Sequence, residues 1–266
     1  MDQFERCLLT NISSHLEKCC TSACKGDNKN NENHIAYGTA GFRGHSEKIR
    51  PIFYKVGLIA GLRCLVQEAN VGVMVTASHN PIPDNGVKLI DSNGEMLKID
   101  WEPIVEHFCN IENNPKLINE ELLKLTTQFQ VDLTNIRTND RLNVLVGYDT
   151  RPSSEGLVEL LIHGLSAWSP YINVLNYKRT TTPALHYLVA ESNKQQCHID
   201  ISEYYMQLVN GLNEIFESYK SIKKYYKPEE LIIDCANGVG YETMKFLCSD
   251  RLFKEHLPLE LINTGE

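Results

Sequence analysis

Of 266 residues, 42% are hydrophobic and 23% charged, the proportions of an ordinary soluble globular protein, which exclude a disordered, collagen-like or low-complexity chain. The length suits one large domain or two smaller ones, ample for a real core. The formal charge of −8, from 26 Lys and Arg against 34 Asp and Glu, argues against a nucleic-acid partner but leaves room for a local phosphate site. Asp2 and Glu5 stand where a signal peptide is basic, and no apolar run nears the roughly 18 residues of a membrane span. Nine cysteines, an odd number in a chain too long to need disulfide staples, point to reduced thiols and a cytoplasmic location. Cys19, Cys20 and Cys24 match no zinc spacing.

Along the chain, Phe4, Leu8, Ile12 and Leu16 recur at the spacing of an amphipathic helix over about 2–20. A polar loop follows at Lys25–Asn33, then a Gly-rich segment, Gly38–Gly44, and a helix from about Phe53 to Gln67. Val71–Val75 is a short apolar run, the pattern of a strand buried on both faces. Thr76–Pro81 is a polar loop, Asp84–Gly86 reads as a turn, and Val87–Ile90 as a strand. Leu142–Val146, Ser153–Ala167 and Tyr171–Tyr177 make a strand, helix and strand, a βαβ unit. Thr182 reads as the cap of the next helix, with Pro183 at its first position. Leu208, Leu212, Ile215, Tyr219 and Ile222 form a core-facing helical stripe. A second α/β unit comprises the strand Leu231–Ala236, a turn at Asn237–Gly240, a helix to about Leu247 and the strand Leu259–Ile262. The boundary between the two units lies between about Glu191 and Ser202.

Chemistry concentrates in a few of these loops. Ser78 and His79 stand on a loop at a strand end, where α/β proteins keep their sites, yet adjacent residues need not face the same way. The Gly-x-Ser-x-Gly pattern of a hydrolase elbow is missing. Gly38–Gly44 has neither dinucleotide nor Walker spacing, but Arg43 within it offers a planar cationic fork suited to phosphate. Arg151 repeats that offer in Gly147–Pro152, although Asp149 could instead pair with Arg151 or cap the following helix. Asp234 occupies the matching position of the second unit, where the glycines after it suit a tight strand-to-helix turn.

Six segments, Tyr37–Arg43, Thr76–Pro81, Asp84–Lys88, Gly147–Ser153, Thr181–Pro183 and Asp234–Gly238, resemble in order the motifs of the α-D-phosphohexomutases. The Gly-Thr-Ala-Gly-Phe-Arg form and the Lys88–Leu97 continuation are most similar to members acting on N-acetylglucosamine phosphates. The resemblance implies an α/β fold in which a mixed sheet is sandwiched between helices over 1–195, followed by an incomplete second α/β domain over 196–266. It implies that Ser78 is a phosphoserine whose phosphate helps bind Mg²⁺, with His79 as a proton-handling neighbour. Lys88 would be the general base, Arg43 a charge near the moving phosphoryl group, and Asn80 and Arg151 binders of substrate phosphate. The implied reaction interconverts N-acetylglucosamine 6-phosphate and 1-phosphate through a bisphosphate, toward the activated nucleotide sugar. Its partners are then a hexosamine phosphate and a hexose bisphosphate, with no nucleic acid or membrane.

The family's Asp-x-Asp-x-Asp-Arg metal loop has no counterpart in this sequence. The chain is therefore expected to be an N-terminal portion with little turnover alone, soft beyond about residue 200 because its second sheet stops at an open edge. Two other readings stand beside this one. One is a non-catalytic sugar-phosphate-binding or regulatory homologue; the other is a mutase of glucose or mannose phosphates.

Overall fold

The computed structural model describes residues 8–14, 34–133, 141–218, 231–257 and 259–265. Its first sheet has five strands: β1 (Phe42–His45), β2 (Val71–Val75), β3 (Asp84–Ile90), β4 (Leu142–Tyr148) and β5 (Ile172–Arg179). They lie in the order β1-β3-β2-β4-β5. β3 runs antiparallel to both its neighbours, whereas β2, β4 and β5 are mutually parallel, so the sheet is mixed. The buried run of β2 arises because both faces are covered.

On one face pack α1 (helical over 8–14), α2 (Arg50–Gln67), α3 (Glu102–Asn110), α4 (Pro115–Gln128) and α5 (Ser154–Leu165). They meet Val71, Val73, Val75, Val87, Leu89, Val144 and Val146. On the other face α6 (Thr182–Gln195) brings Leu185, Leu188 and Val189 against Met74, Ile90 and Leu145. This is the expected α/β/α sandwich. The period of two in each strand decides which side chain goes where: Val87 and Leu89 point under α2, while Lys88 and Ile90 lie on the α6 side. α2 and α5 approach until their backbones touch. A Cβ on Gly57 would fall 2.1 Å from the Leu161 carbonyl oxygen, and one on Gly164 2.1 Å from that of Tyr54. Beside that contact the Trp168 indole donates to the Leu58 carbonyl at 2.8 Å.

A second, two-stranded parallel sheet pairs β6 (Leu231–Asp234) with β7 (Leu259–Ile262). α7 (Ile201–Ser218), α8 (Gly240–Leu247) and α9 (Arg251–His256) gather around a small core of Val209, Leu247 and Phe253.

Several expectations change. Asp84–Gly86 is not a turn but the first half of β3, paired with β1, which itself occupies the end of the Gly-rich segment. Gly41 serves that pairing: at φ +80° a Cβ there would lie 2.2 Å from the Val87 carbonyl oxygen, so only glycine lets the segment close on β3. The cap of α6 is Thr181, whose side chain accepts from the Ala184 N–H at 3.4 Å, one residue before the expected Thr182. α5 begins at Ser154, one residue after the expected start, with Ser153 at its N-cap position and making no side-chain capping bond. The α7 stripe is only partly a core face, with Leu208 and Leu212 half covered, Ile215 52% exposed and Val209 the residue buried. Tyr219, Ile222, most of the N-terminal helix and the Lys25–Asn33 loop lie outside the described residues.

Candidate active site

Parallel β2 and β4 deliver their C-terminal loops to one end of the sheet, the place where open α/β sheets bind ligands. The two loops are tied at their roots, the Asp149 N–H donating to the Val75 carbonyl at 3.1 Å. They line a cleft of about 820 Å³ together with Arg43 from β1, Lys88 from β3, Thr181–Pro183 at the start of α6 and Ala236–Val239 after β6. Lys88 reaches the cleft because it lies opposite Met74 in the β2–β3 register, and Met74 lines the cleft too.

Ser78 is exposed on the β2 loop, with its backbone in the left-handed region at φ +53°. For a residue with a Cβ that conformation costs on the order of 1–3 kcal/mol and persists only where neighbours enforce it. Its N–H donates to Thr76 Oγ1 at 3.1 Å, and the turn is closed by the Asn80 N–H on the Ala77 carbonyl at 3.1 Å. Asn80 bridges two elements: its Oδ1 accepts from Arg43 Nη1 at 3.3 Å and its Nδ2 donates to Asp84 Oδ2 at 3.2 Å. Arg43 Nε is buried with no hydrogen-bond partner. Among the described residues neither Arg43 nor Lys88 forms an ion pair with a carboxylate. Burial first, and then the Arg43 charge, lower the Lys88 pKa below its ordinary value. Two cations without counter-ions beside a serine hydroxyl make an anion site, and a phosphate would satisfy both.

Two predicted site residues, His79 and Arg151, have surroundings of their own, and Asp234 holds the turn that its spacing suggests. His79 is exposed, lies off the cleft lining and makes no hydrogen bond among the described residues. Arg151, expected on substrate phosphate, spends its guanidinium on backbone carbonyls of the Ser78 loop. Asp234 accepts from the Ala236 N–H at 2.8 Å and from Asn263 Nδ2 at 3.0 Å, a turn-holding role that keeps its carboxyl below the usual range. The loop it supports nevertheless forms a wall of the cleft.

The sequence pattern had also passed over Thr76 and Asn85. Buried Asn85 donates to Ser153 Oγ at 2.9 Å and Ser154 Oγ at 3.1 Å, joining β3 to the start of α5. Mg²⁺ finds no carboxylate set here. Asp149 is the acidic residue lining the cleft, and its oxygens are engaged by Thr76, Ser154 and Arg151. No cluster of three His, Cys, Asp or Glu suited to a metal occurs among the described residues.

A family model described as phosphoglucomutase/phosphomannomutase, alpha/beta/alpha domain I, matches residues 59–115 and 109–203, more than half of the chain. The chain belongs to the phosphohexomutases. This phosphohexomutase chain is 36% identical over 239 residues to phosphoacetylglucosamine mutase 1 of Schizosaccharomyces pombe, an alignment covering 86% of the chain and 42% of that relative. It superposes with a TM-score of 0.80 and 30% identity on an N-acetylglucosamine-phosphate mutase solved in a substrate complex, covering 98% of the chain and 45% of that structure. An Aspergillus fumigatus N-acetylphosphoglucosamine mutase in complex with GlcNAc-6P and magnesium superposes at 0.69 with 29% identity, over 96% of this phosphohexomutase and 44% of its own length. The phosphohexomutase chain thus spans less than half the length of these relatives.

Proposed function

We propose that the chain carries the phosphoryl-transfer face of a phosphoacetylglucosamine mutase, an isomerase interconverting N-acetylglucosamine 6-phosphate and N-acetylglucosamine 1-phosphate. The observation that carries the reading is the pair of uncompensated cations, Arg43 and Lys88, lining one cleft with Ser78. Ser78 Oγ bears the phosphoryl group. A sugar hydroxyl attacks phosphorus as the P–Oγ bond breaks; in the deprotonated fraction that burial and Arg43 enlarge, Lys88 Nζ takes the hydroxyl proton and passes a proton to the leaving Ser78 Oγ, which departs as the hydroxyl. The bisphosphate formed then offers its other phosphate. Ser78 Oγ takes that phosphoryl group, its hydroxyl proton passing to Lys88 Nζ and from there to the departing sugar oxygen. Arg43 stabilises the charge that gathers on the transferring oxygens, and Asn80 holds Arg43 in place. Magnesium, present with the Aspergillus relative, would be held here through the phosphate on Ser78 and would supply charge stabilisation to it. A domain division at 195/196 accompanies this reading. So does a cytoplasmic location: the five described cysteines are free thiols, and among the described residues no helix is long and apolar enough to cross a membrane.

Incubation of the chain with radiolabelled glucose 1,6-bisphosphate tests it. The label is expected on the peptide containing Ser78 and absent from Ser78→Ala; label elsewhere, or none, overturns the reading. Chasing the labelled chain with N-acetylglucosamine, glucose or mannose 6-phosphate then reads the sugar class. Fastest discharge by glucose 6-phosphate would contradict the N-acetyl assignment.

A further inference from the structure

Arg151 sits at the root of the β4 loop with its side chain only 10% exposed. Its Nη1 donates to the carbonyls of Pro81 at 2.8 Å and Asp84 at 3.1 Å; its Nη2 donates to those of Ser78 at 2.7 Å and Asn80 at 2.8 Å. All four terminal N–H groups are therefore spent on one loop, and none is left for a ligand. Nε lies 3.3 Å from Asp149 Oδ2. That same oxygen accepts from Thr76 Oγ1 at 2.7 Å, while Asp149 Oδ1 accepts from Ser154 Oγ at 2.8 Å and from the Arg151 N–H at 3.0 Å. Thr76 Oγ1 in turn receives the Ser78 N–H. The chain of contacts closes on itself. Ser78 is gripped at its N–H through Thr76 and at its carbonyl by Arg151, and both grips end on Asp149. These are the neighbours that hold φ at +53°.

We infer that Arg151, braced by Asp149, is a positioning residue that sets the conformation of the Thr76–Asp84 loop and thereby presents Ser78 to the cleft. The inference rests on the phosphoserine reading above for its consequence, though not for its geometry. A planar fork reaches four carbonyls at once, which a lysine ammonium with three donors at one point does not. Arg151→Lys should therefore fail where a charge-only role would be rescued.

The test measures two things on the 266-residue chain, wild type and Arg151→Lys. The first is the rate of Ser78 labelling by glucose 1,6-bisphosphate as a function of its concentration. The second is amide hydrogen exchange across 76–84, with β2 and β4 as internal reference. Misplacing a reacting group by about 1 Å costs on the order of 100-fold in rate. The labelling rate at saturation should fall by about that factor with the half-saturating concentration unchanged within about threefold, and exchange in the loop should rise about tenfold while the reference strands hold. A wild-type labelling rate, or a loss confined to the half-saturating concentration, overturns the inference; the latter would return Arg151 to direct phosphate binding. If the wild-type chain takes no label, the proposed function fails and exchange alone decides. Faster exchange confined to the loop then sustains the inference, and unchanged exchange overturns it. Should Arg151→Lys not fold, Thr76→Val cuts the other grip at nearly constant volume and is judged by the same exchange criteria.

Discussion

Lys88 is half-covered on β3 with a like-charged neighbour, and both conditions disfavour its ammonium form. The sign follows directly. The neutral amine that can accept a proton is more populated at any given pH than for a lysine at the ordinary 10.5. Arg43→Met removes the smaller of the two causes and leaves the burial. Lys88 should then titrate at higher pH than in the wild type, yet still below 10.5, as followed by NMR of the ¹³C-dimethylated amine. A downward movement would mean that Arg43 does not act on Lys88 through charge. His186 on α6 feels the same neighbourhood from the other side: burial foremost, with Lys88 adding to it, lowers its pKa. Its Nδ1 is held at 2.7 Å from the Gly94 carbonyl oxygen. Arg43, Lys88 and Arg151 were individually conspicuous in the sequence, whereas His186 and Asn85 were not. What it did not display was their partners, since Arg151 grips carbonyls some seventy positions away and Asn85 meets serines at a like separation.

At the level of elements, the α2–α5 contact is the most extensive helix pairing among the described residues, and it depends on two residues without side chains. Gly164→Ala gains intrinsic helix propensity of about 1 kcal/mol but drives a methyl into the Tyr54 carbonyl. Overpacking of this kind costs about 1–3 kcal/mol, more where backbone is the obstacle. We expect net destabilisation of about 2 kcal/mol by urea denaturation; a stabilised variant would show that the helices can separate freely. Legibility at this scale followed burial. β2 and β4 were evident because both faces are covered over most of their length and the runs are apolar but for Asn143. β1 and the start of β3 were missed because, apart from Phe42, the segments Phe42–His45 and Asp84–Gly86 are polar or glycine, and only pairing across the sheet makes them strands. α7 was evident as a helix, but its periodicity could not tell how much of the stripe would be covered: none of its described residues is buried, and Val209 beside it is the buried residue of the helix.

For the whole molecule, the two sheets differ sharply in support. The first is enclosed on both faces by a large core, whereas the second rests on Val209, Leu247 and Phe253 and leaves Leu231 46% and Ile232 58% exposed. Local stability should follow that difference. Amides of β6 and β7 should exchange at least about tenfold faster than those of β2 and β4, and equal protection across both sheets would refute the ranking. The cleft draws a wall from each sheet, so the Ala236–Val239 side should be the more mobile one. One strand has a meaning beyond the site it serves. In β3 the apolar Val87 and Leu89 alternate with Lys88, and in antiparallel pairing a slip of one residue turns every side chain to the opposite face. A β3 displaced by one position would thrust an ammonium among the apolar side chains beneath α2 and turn Val87 and Leu89 toward the α6 and cleft side in exchange. The group that accepts a proton in the proposed chemistry is therefore also a proofreading device for assembly. A chain that pairs β3 wrongly is penalised by the same charge that a correctly paired chain uses.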